Sequence, residues 1–380
     1  MQYPKFKEME RAYGFDEVAL VPGDLTINPD QTDVAFAVGP HRFEFPIIAS
    51  AMDAVVSPSS AVAYGKLGGL AVLNLEGVQT RYEDADAVLE KIAITPQAEV
   101  TALLQKLYAE PIKEELVVKR IRAIKEGGVT CAVSMTPANT KRLTHAALEA
   151  GMDILVVQST VTTATHLSKS AKGLVLTELC EQVGIPVIVG NCCSYNAALE
   201  LMRSGIAAVL VGVGPGAACT SREVLGIGVP QVSATSECAA ARETYFKESG
   251  RYISIITDGG FRVGSDICKA LAAGADAVMI GSPLAQAVGA PGHGFHWGMS
   301  HPHPALPRGT RVKVGSVATL EQILFGPTSV TDGTQNFVGA LRTSMGMCGA
   351  RDIREMQHTR MIIAPSIKTE GKYLQMMQGA

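Results

Sequence analysis

A cysteine at position 219 closes a glycine-rich stretch, Gly212-Val213-Gly214-Pro215-Gly216-Ala217-Ala218-Cys219-Thr220-Ser221-Arg222. Three glycines in five residues reach backbone angles that other residues resist, so a tight loop can form. A thiol attacks as its thiolate, and a nearby guanidinium such as that of Arg222 favours the thiolate. Amides exposed between the glycines can approach a phosphate or a planar ring. One reading is a cysteine nucleophile on the loop of a nucleotide enzyme. The other is a glycine-rich turn carrying a buried structural cysteine, since free cysteines are often buried.

Positioning such a loop requires a strand before it, and residues 207–211 are apolar enough to be one. They belong to a set of eight short apolar runs, at 46–52, 70–75, 129–135, 154–159, 186–191, 207–214, 254–260 and 277–284. Each is apolar on both faces, as parallel strands covered by helices are. Helical patterns alternate with them. Ser57-Pro58 opens one and Gly68-Gly69 closes it; Ser194 and Gly205 bound a second; Ser265-Asp266 and Gly274 bound a third. Eight such units predict a (β/α)8 TIM barrel, a single catalytic domain over residues 1–380, because open doubly wound sheets usually have fewer. Residues 1–45 read as an N-terminal arm laid over the core. Residues 289–333 read as a long irregular loop after strand eight, of the kind that forms lids or binding segments. An additional helical segment fills 75–129, and the C-terminal part is helical around 341–358.

The bulk properties narrow the class. With 380 residues, 47% of them hydrophobic, the chain can bury one large core. A net charge of -3 offers no basic field for nucleic acid. The first residues lack a signal-peptide core, and no apolar run is long enough to span a membrane. Eight cysteines without a CxxC pair predict a reduced, cytoplasmic protein.

Barrel chemistry sits at the carboxyl ends of the strands. Those ends carry Ser50-Ala51-Met52-Asp53, Gly190-Asn191, the cysteine loop, Asp258-Gly259-Gly260 and Gly281-Ser282. Glycine amides and a serine hydroxyl after strands seven and eight suit a phosphate, and Asp258 can accept both hydroxyls of a ribose. Any one of these is an ordinary turn taken alone; their convergence on one face points to a site.

These residues resemble the IMP dehydrogenase/GMP reductase family. The carrying stretches are 46–53, 212–220, 226–231, 258–260, 274–279, 281–282 and 339–346, with a further match at 15–22. The resemblance implies that Cys219 bonds to C2 of the purine, with Thr220 relaying a proton and Arg308 in the flap. It implies a nucleotide held by Ser50, Met52, Asn191, Asp258, Gly259, Gly260, Gly281, Ser282 and Gly309. It places NAD, or NADP in a reductase, along Gln158, Ser159, Gly212, Val213 and Gly214. It implies a potassium ion on the carbonyls of Gly214, Gly216 and Cys219, and a homotetramer or stacked tetramers. Oxidation of IMP is the leading expectation, reduction of GMP the alternative, and a non-catalytic nucleotide-binding regulator a third.

Departures from the family pattern are specific. Ala217 stands where a phosphate-site serine is usual, and Gln158 where an aspartate touches the nicotinamide ribose. No tyrosine occurs in 289–333, and the family's CBS pair is missing, with only 75–129 in its place. Arg308-Gly309 and Val314-Gly315-Ser316 are both candidates for the base-binding loop. Elsewhere, His293, His296, His301 and His303 read as a solvent-facing or lid loop rather than a metal site. Cys192-Cys193 read as packing, the mixed-charge helix at 113–125 as a solvated face, and Met345, Met347, Met361, Met376 and Met377 as packing.

Overall fold

The computed structural model describes residues 9–166 and 173–365, together with 372 and 375. Eight parallel strands close on themselves in chain order: β1 (Ile47–Ala49), β2 (Leu70–Asn74), β3 (Ala132–Met135), β4 (Ile154–Gln158), β5 (Val187–Cys192), β6 (Ala208–Val211), β7 (Ser254–Asp258) and β8 (Ala277–Ile280). The pairing of Val278 with Ile47 completes the ring. Alternate residues explain the apolar runs. Ile48, Val72, Ile154, Val156, Ile188, Leu210, Ile256 and Met279 share the interior cluster, while Leu155, Val157, Val209 and Val211 pack outward under the helices. Each wholly buried Ile, Leu or Val contributes about 1.5–3 kcal/mol.

The expected (β/α)8 barrel is therefore what forms. Its helices follow local signals. The first, α1 (Pro58–Lys66), has Pro58 in its first turn and Ser57 Oγ accepting the Ser60 amide at 3.3 Å. Between β2 and β3 lie α2 (Ala85–Ile94), α3 (Gln97–Ala109) and α4 (Glu114–Glu126). Of these, α4 packs between α1 and α5 (Pro137–Glu149) as a barrel helix, burying Leu116, Val117, Ile121 and Ile124 and leaving its charged face to solvent. The pair α2–α3 is an insertion with its own apolar cluster, which includes Leu89, Ile92, Val100, Leu104 and Trp297. The outer ring continues with α6 (Leu176–Val183), α7 (Tyr195–Arg203), α8 (Ser221–Leu225), α9 (Gln231–Ser249) and α10 (Gly264–Ala272). Ser265-Asp266 does not open α10 but lies in its first turn, where Asp266 Oδ2 accepts the Arg262 amide at 3.0 Å.

Three expectations need correction. The N-terminal arm does more than lie over the core. Its hairpin, Phe36–Val38 against His41–Phe43, puts Phe36, Val38 and Phe43 into the interior cluster, and residues 18–20 pair with 361–363. The stretch 289–333 is not irregular throughout; it holds Phe295–His296 paired with Val312–Lys313, and a helix at Leu320–Phe325. The C-terminal helix is two, Phe337–Cys348 and Ile353–Met356, separated at Gly349 with φ +73°. Met345 is packed as expected but Met347 is 59% exposed, and Met376 and Met377 lie outside the described residues. Among the described residues no helix is long and apolar enough to cross a membrane.

Just before β8, Asp276 collects donors from four directions. Arg242 Nη1 (3.0 Å), the Ile255 amide (2.7 Å), Gln357 Nε2 (2.9 Å) and Tyr252 OH (2.5 Å) all reach its carboxylate. Arg242 is 3% exposed. Arg242→Ala leaves a buried carboxylate without its cation, and we expect it to cost about 3–5 kcal/mol in urea unfolding, with labelling of Cys219 in the folded protein unchanged.

Candidate active site

A cavity of about 640 Å³ opens at the carboxyl ends of the strands. Cys219 lines it together with Ser50, Met52, Gln158, Ser159, Asn191, Gly212, Gly214, Gly216, Asp258, Gly259, Gly260, Gly281, Ser282 and Arg308. The sulfur is thus neither sealed in the core nor remote from residues 258 and 281. Three expected residues do not line the cavity. Val213 is 1% exposed and its carbonyl accepts from Arg222; Thr220 and Gly309 lie behind the cysteine.

The loop geometry follows from its glycines. Gly212 has φ +140°, and a side chain there would collide with the Asp258 carbonyl at 2.5 Å. The Cys219 amide donates to the Gly216 carbonyl at 3.0 Å, closing a turn. Residues 308–310 then run antiparallel to the cysteine: the Thr220 amide donates to Arg308 O at 3.1 Å and the Thr310 amide to Ala218 O at 2.9 Å. Arg222 does not serve the thiolate. Its Nε and Nη2 bond the carbonyls of Val213 (3.1 Å) and Val229 (2.8 Å), so it braces the loop. The hydroxyl at the sulfur is that of Ser221, not Thr220: Cys219 Sγ donates to Ser221 Oγ at 3.2 Å, and Ser221 is wholly buried at the start of α8. The sequence contained both hydroxyls; only the turn into α8 tells them apart.

Across the cavity, β4, β5 and β7 converge on one carboxylate. Gln158 Nε2 and Asn191 Nδ2 both donate to Asp258 Oδ2, at 2.9 and 2.8 Å, and Gln158 also reaches Asn191 Oδ1 at 3.2 Å. Burial pushes the Asp258 carboxyl up to about 6, opposed by the two amide donors. With both amides on Oδ2, Oδ1 is the oxygen left to receive a ligand hydroxyl. Gln158 and Asn191 thereby act on the same group, although the sequence reading assigned them to different ligands.

The opposite wall comes from the loop after β8. His296, Gly298, Met299 and Ser300 line the cavity, whereas Val314-Gly315-Ser316 do not. A side chain at Gly281 would meet His296 Cε1 at 2.9 Å and Met52 Sδ at 3.1 Å, so the three pack closely there. His296 and His301 are buried, not solvent-facing, and burial lowers both to about 4, with Arg311 adding to the effect at His301. Among the described residues no group of three His, Cys, Asp or Glu side chains could hold a metal. Cys192 packs against Cys238, sulfur to sulfur 3.9 Å, while Cys193 is half-buried.

Glu76, Arg81, Tyr108 and Thr136 also line the cavity and were not anticipated. Glu76 lies two residues past the end of β2 and was findable on that ground. Tyr108 sits on the inserted α3, and nothing in its sequence context directs it inward. Nearby, burial pushes the Asp53 carboxyl up to about 6, against hydrogen bonds from Tyr108 and the Val78 amide.

Residues 12–300 match the family model described as the IMP dehydrogenase/GMP reductase domain. The chain belongs to that family. It is 39% identical to an uncharacterized oxidoreductase of Mycobacterium leprae, over 93% of this chain and 97% of that one. It is 27% identical to an inosine-5'-monophosphate dehydrogenase of Methanocaldococcus jannaschii, over 96% and 95% of the two. The crystal structure of an IMP dehydrogenase/GMP reductase-like protein from Corynebacterium glutamicum superposes with a TM-score of 0.90 at 34% identity, covering 96% of this chain and 97% of that one. The protein is thus an oxidoreductase of the IMP dehydrogenase/GMP reductase family, whose members bind nucleotides and a nicotinamide cofactor. The cavity beside the cysteine is open enough to admit a planar ring: a side chain at Gly216 would meet nothing nearer than Cys219 Cβ at 4.0 Å.

Proposed function

We propose that the protein oxidises IMP to XMP with NAD, through a bond between Cys219 Sγ and C2 of the purine. The observation that carries this reading is the meeting of Cys219, Asp258 and Gly281-Ser282 in one cavity. Gly260, Gly281 and Ser282 hold the phosphate, which removes the need for a hydroxyl at Ala217. Asp258 Oδ1 takes the ribose hydroxyls, Ser50 and Met52 flank the nucleotide, and residues 296–300 cover it. To the nicotinamide half we assign Gln158, Ser159 and Gly214, which line the same cavity. Carbonyl oxygens of Gly214, Gly216 and Cys219 are neutral hard donors suited to a potassium ion.

The Cys219 S–H adds across the C2=N3 bond of the purine: Sγ bonds to C2 while a proton reaches N3, relayed by Ser221 Oγ, which takes the thiol proton as it gives up its own. NAD, when bound, accepts the hydride that C2 gives up. Water then adds at C2 and the thiolate leaves, so that IMP, NAD and water become XMP, NADH and a proton. Arg308, on the segment bridged to Cys219, is the cation placed to handle that water. We place the enzyme in the cytoplasm, where its thiols stay reduced, and expect a homotetramer.

Reduction of GMP to IMP and ammonia with NADPH is the second reading, favoured by the absence of any tyrosine in 289–333. Purified protein given IMP with NAD, then GMP with NADPH, separates them by product. XMP supports the first reading and IMP from GMP the second. Binding of either nucleotide without turnover identifies a regulator instead.

A further inference from the structure

Two backbone segments face each other across Gly281. One is Met52-Asp53 after β1, the other His296-Trp297-Gly298 after β8. Met52, His296 and Gly298 all line the cavity. The residues between them point away from it and into the α2–α3 insertion. Trp297 is 1% exposed and packs with Val78, Leu104 and Leu107. Asp53 is 2% exposed, accepts the Val78 amide at 3.1 Å, and lies so close to Gly77 that a side chain there would strike its carboxylate.

One hydroxyl joins the two. Tyr108, half-buried on α3, donates its O–H to Asp53 Oδ2 and accepts Trp297 Nε1–H at 3.0 Å. Its ring lines the cavity edge, with the Arg81 guanidinium 5.8 Å from the ring centre. A buried indole N–H and a buried carboxylate are each costly to leave without a partner; here one oxygen answers the indole and shares the carboxylate with the Val78 amide. Elsewhere the loop is tied to the same insertion through Thr101 Oγ1 and His301 Nε2 (2.9 Å) and through Arg311 to the Ala93 carbonyl (3.2 Å). Those ties hold the outer part of the loop; Tyr108 holds the part that faces the ligand.

We propose that Tyr108 is a positioning residue for the nucleotide: clamped between Asp53 and Trp297, it sets the wall of residues 296–298 against Met52 at the spacing the ligand requires. The inserted helix α3 is thereby part of the site although it touches no reacting atom. This rests on the reading of the cavity as a purine-nucleotide site.

The test uses the full chain and two variants that keep the packing. Tyr108→Phe removes both hydrogen bonds and Trp297→Phe removes one. In ligand-free Tyr108→Phe, amide exchange at residues 296–298 should quicken about tenfold, the equivalent of one lost hydrogen bond. The Kd for IMP by calorimetry should rise by about the same factor, with kcat changed less than about threefold. Trp297→Phe should shift both in the same direction, and the emission of Trp297, the sole tryptophan, should change in Tyr108→Phe. Unchanged exchange overturns the proposal. Faster exchange with unchanged affinity also overturns it, since the tyrosine would then only anchor the loop. A wild-type protein that binds neither IMP nor GMP overturns the proposed function, and this role with it.

Discussion

Cys219→Ala should abolish turnover, by at least about 10³-fold in kcat, while leaving the Kd for the nucleotide within about threefold. The reason is positional. Cys219 lies at the cavity with its Sγ on Ser221 Oγ, while the groups assigned to the sugar and phosphate, Asp258 and Gly281-Ser282, come from other strands. Removing the sulfur deletes the bond-forming atom and little else, because the loop is held by main-chain bonds to residues 308–310 and by Arg222. Product formation by chromatography and binding by calorimetry check the two halves separately. Retained turnover means that the sulfur is not the nucleophile.

Asp258→Ala should raise the KM for the nucleotide about 10–100-fold, the loss expected when charge-assisted hydrogen bonds to a ligand are deleted. A pH dependence follows from the same carboxylate. Its folded-state value, about 6, lies above the ordinary 3.8 because burial outweighs the Gln158 and Asn191 donors. As pH falls through about 6 the group takes up a proton and loses its charge, so kcat/KM should fall on the acid side. For the ligand-free fold the sign is opposite. A raised carboxyl binds its proton more tightly folded than unfolded, so its stabilising share is lost as pH climbs from about 4 to about 6. Asp258→Asn should therefore unfold at a higher denaturant concentration than wild type at pH 7, yet bind nucleotide more weakly. Asp53 also titrates near 6, and it is the Asn variant that separates the two: an acid limb that persists unchanged in Asp258→Asn assigns the titration elsewhere.

Tyr108 shows why part of the site was not legible in the chain. Strand ends announce themselves, because a barrel sends every carboxyl end to one face. Ser50, Asn191, Cys219, Asp258 and Gly281 could be assembled from that rule alone. Tyr108 stands on an exposed-looking amphipathic helix in the inserted segment, 55 residues after the aspartate it would have to find. Its partner Trp297 comes from a loop with no regular pattern. Nothing local links the three.

Two smaller errors have the same origin. Thr220 and Ser221 are neighbours with the same chemistry, and it is the hydroxyl of Ser221, at the onset of α8, that accepts from the sulfur, while Thr220 is tied through its main-chain amide to the Arg308 carbonyl. Arg222 is close to Cys219 in the chain, but its guanidinium finds carbonyls of its own loop first. In both cases spacing could not say which way a side chain would point.

By itself the sequence determined the barrel, its strand count, the cysteine loop and the face on which the chemistry gathers. Those depend on short-range facts: two-sided apolar runs that must be covered, and glycines where the backbone must turn sharply. Tertiary structure alone decided which hydroxyl meets the sulfur, that Gln158 and Asn191 share Asp258, and that an inserted helix lines the same cavity. Hydrogen bonds between side chains from distant elements are set by where packed helices and strands finally come to rest, and no local pattern carries that information.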